Sequence, residues 1–180
     1  MDRLRLATLW LGGCSGCHMS FLDLDEFLID IADKVDVVYS PVVDAKEYPD
    51  NVDVALVEGA VANEEHLEML LHLRSRTKTV VSFGDCAVTG NVTAIRNMLG
   101  GAEVILNRVY LENGDQFSQV PEGDGIVPKL MDRVTPVHSV IHVDVYLPGC
   151  PPPAPRIKEV LVAVLEGRDP TLHGENIRFG

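Results

Sequence analysis

A chain of 180 residues with a formal charge of −12 and an isoelectric point near 4.8 is a poor partner for nucleic acid or for anionic membrane surfaces. No apolar run approaches the roughly 18–20 residues needed to span a bilayer, and no basic-then-apolar leader precedes the first predicted strand, so a cytoplasmic protein without an export signal is expected. The length suits one domain with a substantial core. In a reducing compartment its four cysteines point to a metal or redox site rather than a disulfide framework.

Arg5 to Leu11 is an apolar run that reads as a buried first strand ending at Gly12-Gly13. Beyond a loop holding Cys14 and Cys17, Leu24, Phe27, Leu28 and Ile31 fall at i, i+3, i+4 and i+7, with Asp23, Glu26, Asp30 and Asp33 mostly opposite. That spacing predicts an amphipathic helix from Ser20 to Lys34. Val35 to Val43 and Val52 to Val57 give the second and third strands, the latter ending at Glu58-Gly59. Asn63 can cap a helix running to about Arg76, which puts Glu64 and Glu65 in the first turn, where the dipole favours them. Lys78 to Phe83 is the fourth strand, and Asn91 is predicted to cap a helix ending at Gly100-Gly101.

Residues 101–142 contain Pro121, Gly123, Gly125, Pro128 and Pro136 and show little sustained periodicity. A loop of that length inside a compact domain is usually functional or mobile. Val143 to Leu147 is a fifth strand; Pro155 then opens a last helix whose Ile157, Val160, Leu161, Val164 and Leu165 form one apolar face before Gly167. Strand and helix alternate throughout. The expected fold is therefore α/β, a doubly wound parallel sheet of the flavodoxin-like kind, in a single domain over 1–180 without internal repeats.

The chemistry concentrates in the cysteines. Cys14 and Cys17 lie in Leu11-Gly12-Gly13-Cys14-Ser15-Gly16-Cys17, Cys86 ends Val80-Val81-Ser82-Phe83-Gly84-Asp85-Cys86, and Cys150 ends Val145-Tyr146-Leu147-Pro148-Gly149-Cys150. Each follows a short apolar run and lies beside glycine. The carboxyl ends of parallel strands share the edge at which sites form, so four thiols distant in sequence can meet there. Four convergent thiolates bind zinc or an iron–sulfur cluster. A thioredoxin-type C-x-x-C needs no third and fourth cysteine, and structural zinc usually draws on two closely spaced pairs; single, distant Cys86 and Cys150 fit a cluster gathered from three loops better. Buried cysteines acting as small hydrophobes would not account for four glycine-bearing turns after strands. Gly12, Gly13, Gly16, Gly84 and Gly149 permit positive φ and let backbone N–H groups approach sulfur, which raises a cluster's reduction potential.

Taken together, Cys14-Ser15-Gly16-Cys17, Glu58-Gly59, Gly84-Asp85-Cys86-Ala87-Val88-Thr89-Gly90 and Leu147-Pro148-Gly149-Cys150-Pro151-Pro152 resemble the small subunit of nickel–iron hydrogenases over nearly the whole chain. The resemblance implies that Cys14, Cys17, Cys86 and Cys150 hold the iron of one proximal 4Fe–4S cluster. That cluster would face a nickel–iron site in a separate large subunit, leaving no catalytic residue in this chain. The run from His18 to Glu26 looks like the cytoplasmic soluble class, with Met19 where periplasmic uptake enzymes typically carry an acidic residue. No cysteine follows Cys150, so the form implied is the one-cluster type similar to NAD-reducing (bidirectional) hydrogenases. Those are hydrogen:NAD+ oxidoreductases, in which iron–sulfur and flavin diaphorase subunits handle NAD. Small subunits of the methanogen type share the Ser-Gly-Cys-His-like segment but usually extend further, and the homologous subunit of respiratory complex I has adjacent cysteines. Asp85 departs from the family, which commonly has a small neutral residue there; an ionised carboxylate would lower the cluster potential. A hydrogenase with another cytoplasmic acceptor and a zinc-stabilised interaction domain remain the alternatives.

Glu58 follows a strand on the cysteine edge, which suits a place near the cluster, a proton route or a solvated turn. His18 and His138 are expected to make local hydrogen bonds rather than to ligate. A flavodoxin-like fold invites FMN, but cysteines occupy the relevant loop and no distinctive phosphate loop is found, so FMN is a candidate without a supporting motif. The resemblance further implies that the cysteine edge meets the large subunit, with residues 101–142 against that subunit or against the iron–sulfur subunit that takes the electrons.

Overall fold

A computed structural model describes residues 3–116 and 118–179. In chain order they form β1 (Leu4–Trp10), α1 (Gly16–Leu22), α2 (Glu26–Asp30), β2 (Val35–Tyr39), β3 (Val52–Glu58), β4 (Val61–Asn63), α3 (Glu64–Arg74), β5 (Thr77–Phe83) and α4 (Asp85–Thr89). A 3-10 segment (Asn91–Leu99) follows, then α5 (Ala102–Leu106) with a wider π-type extension (Asn107–Glu112), β6 (Leu130–Thr135), β7 (Val145–Leu147) and α6 (Ala154–Leu165).

Ala55-Leu56-Val57 in β3 and Val80-Val81 in β5 are consecutive buried apolar residues because helices cover both faces of the sheet they build. Leu6, Leu56 and Phe83 lie in one layer with Ile157, Val160 and Leu161 of α6. Ala7, Leu9 and Val57 lie in the other, with Leu70 and Leu73 of α3. Neighbouring residues of one strand thus serve opposite layers, the period-two rule of extended chain. The five strands are ordered β2-β1-β3-β5-β7 and every pair is parallel. With β4 and β6 set aside, this is the second-first-third-fourth-fifth order of a flavodoxin-like sheet. The α/β fold expected from the alternation of elements is the one observed.

Several boundaries differ from the sequence expectations. The predicted second strand stops at Tyr39, since Pro41 offers no N–H to a ladder. The predicted helix from Ser20 to Lys34 is two short helices that begin earlier, at Gly16, and break where Asp25 takes φ 49°. The apolar period survives the break: Leu24 and Ile31 are buried in the core, with Phe27 and Leu28 packed against it. Asn63 caps α3 as expected, accepting the N–H of His66 at 2.8 Å. Asn91 is no such cap. It sits in the left-handed region at φ 38°, Gly90 holds the cap position before it, and the segment it opens is 3-10.

Residues 101–142 are less irregular than their prolines and glycines suggest. β6 pairs antiparallel with β4, Val61 opposite Thr135 and Asn63 opposite Leu130. The 3-10 segment is tied to this ribbon: Arg96 donates to the carbonyls of Met131 (2.6 Å) and Ala62 (3.1 Å). Asn97 likewise exchanges two bonds of 2.8 Å with the backbone of Val134. Among the described residues no helix is long and apolar enough to cross a membrane.

Candidate metal centre

β1, β3, β5 and β7 run parallel, so the turns that leave them lie along one edge. Those turns are the ones singled out above: Gly12–Cys17, Glu58-Gly59, Gly84–Cys86 and Gly149-Cys150. Backbone bonds lace them together. Gly84 N–H donates to Leu147 O (2.8 Å) and Asp85 N–H to Gly149 O (2.9 Å), while Leu11 N–H donates to Glu58 O (2.8 Å) and Gly12 exchanges bonds with Ala60 (2.9 and 2.8 Å). Ser20 Oγ reaches across to Pro152 O at 2.6 Å, tying α1 to the turn of Cys150.

All four cysteines are free; Cys17 and Cys86 are buried, Cys14 and Cys150 exposed. Burial pushes the Cys17 thiol far up, and the charges of Glu58, Cys86, Cys14 and Cys150 push it the same way. Burial also raises Cys86, with Cys150 and Cys14 adding to the rise, while Thr93 and Val92 oppose it. The two buried thiols, Cys17 and Cys86, therefore resist ionisation until a cation supplies the countercharge. Metal coordination does this, because a coordinating thiol is deprotonated outright. Among the described residues, however, no three histidine, cysteine or carboxylate side chains converge on a position for one metal ion. Four thiolates are a donor set that either zinc or an iron–sulfur cluster takes.

The backbone around the sulfurs is shaped to them. Gly84 has φ 83°, and a Cβ there would overlap Cys17 Sγ, so glycine alone lets this sulfur rest on the Cys86 turn. Asp85 is buried, and its Oδ1 accepts the N–H of Gly149 at 2.6 Å. The carboxylate that departs from the family pattern thus pins the Cys150 turn to that of Cys86.

Glu58 is not a solvated turn residue. It is 3% exposed; its Oε1 accepts the N–H of Cys17 (3.2 Å), and its Oε2 accepts the N–H of His18 (3.0 Å) and contacts His18 Nδ1. One side chain from the end of β3 thereby satisfies the first turn of α1 and fixes the C-x-x-C loop. His18 is buried, edge-on to Trp10 with ring centroids 5.2 Å apart. His138 is exposed and packs its ring on Tyr146. Glu58→Ala leaves two buried N–H groups without acceptors and is expected to lower stability by about 2–4 kcal/mol. Denaturant unfolding checks this, and an unchanged midpoint and slope would contradict the clamp.

Asn91 is the member that sequence reasoning misplaced. Its Nδ2 donates to Cys150 Sγ at 3.4 Å. The signal was the Gly90-Asn91 pair, which marks a turn as readily as a helix start.

The family described as NADH ubiquinone oxidoreductase, 20 Kd subunit, matches residues 14–164. The chain is similar to a component of the vhu F420-non-reducing hydrogenase of Methanococcus voltae, at 42% identity over 174 residues, covering 95% of this chain and 59% of that protein. It is also similar to the delta subunit of the NAD-reducing hydrogenase HoxS of Cupriavidus necator, at 36% identity over 172 residues, covering 92% of this chain and 80% of that subunit. Among solved structures, a chain of the NAD+-reducing NiFe hydrogenase in its H2-reduced state superposes with a TM-score of 0.93 at 38% identity, over 99% of this chain and 100% of that one. The F420-non-reducing relatives are longer, and the chain spans only 58% of the Methanothermobacter marburgensis protein.

Proposed function

We propose, because the chain belongs to the NADH ubiquinone oxidoreductase 20 kDa subunit family and stands there with the hydrogenase small subunits, that it is the electron-transfer small subunit of a NAD-reducing nickel–iron hydrogenase. Cys14, Cys17, Cys86 and Cys150 hold one 4Fe–4S cluster, and residues 1–180 act as a single iron–sulfur domain. The observation that carries this reading is the likeness to the NAD+-reducing hydrogenase chain across the whole of both chains. The Cys14-x-x-Cys17 spacing supports the hydrogenase side of the family over the respiratory side.

When bound, such a cluster supplies one-electron transfer between a nickel–iron large subunit and the iron–sulfur and flavin diaphorase subunits that handle NAD. The residues of this chain bind and orient it. Cys17 and Cys86 provide the buried half of the set, where water is excluded. Cys14 and Cys150 lie at the exposed rim, which suits an edge covered by a partner. Trp10, Met19, Val92 and Ile95, all near the cysteine turns in sequence, are exposed; they give that rim an apolar surface for the large subunit. Cytoplasmic placement follows from the cysteine chemistry.

The complex purified without oxygen is expected to be brown and to carry about four iron atoms on this chain. Stoichiometric zinc with no iron would overturn the reading in favour of a structural domain. A second reading has its own support: 42% identity to a component of an F420-non-reducing hydrogenase favours a hydrogenase with a different acceptor. Co-purifying subunits and hydrogen-dependent NAD+ reduction separate the two.

A further inference from the structure

Two consecutive left-handed residues, Gly90 at φ 89° and Asn91 at φ 38°, reverse the chain after α4. The reversal delivers Asn91 Nδ2 to Cys150 Sγ at 3.4 Å, while the Thr93 hydroxyl two residues on donates to Gly12 O at 3.0 Å. The Asn91 amide is therefore the side-chain donor that this turn places on a sulfur. Its place is held rigidly, because Arg96 and Asn97 lock the following turns onto β4 and β6.

We propose that Asn91 tunes the reduction potential of the cluster by donating a hydrogen bond to the sulfur of Cys150, an inference that rests on the four-cysteine cluster reading. Reduction adds negative charge that is shared with the ligand sulfurs. A donor at sulfur thus stabilises the reduced form more than the oxidised one and raises the potential. Asp85 is a carboxylate beneath the same turn, on Gly149 N–H. A negative charge there would act in the opposite sense to the amide.

The test is a redox titration monitored by electron paramagnetic resonance on the complex of this chain with its large subunit, with iron analysis in parallel. Asn91→Gly is the cleanest variant, since glycine adopts the left-handed backbone freely and only the amide is lost. Asn91→Asp keeps the size and the left-handed tolerance but turns a donor into an acceptor. At the wild-type midpoint, the ratio of reduced to oxidised cluster is expected to fall about fivefold in Asn91→Gly, the worth of one ordinary hydrogen bond, and further in Asn91→Asp. Full iron with unmoved midpoints in both variants overturns the proposal and leaves the cluster reading intact. Iron loss with an unmoved midpoint in the clusters that remain also overturns it, making Asn91 a structural prop. A wild-type complex without iron on this chain overturns the cluster reading itself.

Discussion

On the NAD-reducing reading proposed above, Cys86→Ser is expected to strip or degrade the cluster and to abolish hydrogen-dependent NAD+ reduction, while much of the NADH-dependent dye reduction by the flavin subunit persists. Cys86 is buried, and that burial raises its thiol. Serine keeps the shape but offers a hydroxyl far harder to ionise than a thiol, at a burial that already opposes ionisation. Soft thiolate is also the ligand that iron–sulfur clusters select. Because that reading assigns the two activities to different subunits, their ratio separates a local cluster defect from a general failure to assemble. Full hydrogen-to-NAD activity in this variant would remove Cys86 from the ligand set.

Gly84→Ala is expected to be nearly as damaging although it touches no ligand in name. At φ 83° and ψ 164° the backbone lies in a region that is essentially glycine's alone, where a side chain costs about 1–3 kcal/mol. The added methyl would also overlap Cys17 Sγ and come within 3.5 Å of Gly149 O. The first cysteine turn must then move, whereas the contact with Gly149 O is an ordinary one. Most of the iron should be lost and the melting temperature should fall. Gly167→Ala supplies the contrast: Gly167 also has positive φ, at 65°, but a Cβ there meets nothing within 4 Å. That variant should lose stability and keep its iron. Equal iron content in the two variants would show that backbone strain alone, not the encounter with sulfur, explains the effect of Gly84→Ala.

The central strands were legible because a parallel sheet buried on both faces leaves consecutive apolar residues in β1, β3 and β5. α3 and α6 were legible from a capping asparagine and from an N-terminal proline ahead of an apolar face. Periodicity misjudged α1 and α2, because the same spacing of Leu24, Phe27 and Ile31 survives the kink at Asp25. β6 was invisible for another reason. Its partner β4 is three residues long and lies some 70 positions earlier (135 − 61 = 74 for one pair), so no local pattern announces the ribbon. At the site, the positions of the cysteines followed from the rule that strand ends share an edge. The grip of Glu58 on Cys17 and His18, and of Asn91 on Cys150, did not, since each depends on contacts 40 or more positions apart. Asparagine serves helix starts and left-handed turns alike, and only the fold decides which.

The strand order has a consequence for biosynthesis. Cys14 and Cys150 stand 136 positions apart (150 − 14), and β7, which delivers the last cysteine, reaches the sheet only by lining up beside β5. A nascent chain that has emerged as far as α5 therefore displays three cysteines on a half-built edge, with Cys17 lacking the neighbouring turn of Cys150. Contacts of such long sequence separation are also the slow ones to form. Iron and sulfide offered during translation would meet an incomplete and mismatched set of thiols. On the four-cysteine cluster reading, loading is then a step for the finished polypeptide, and a truncation anywhere before β7 is expected to cost the whole centre rather than a quarter of it.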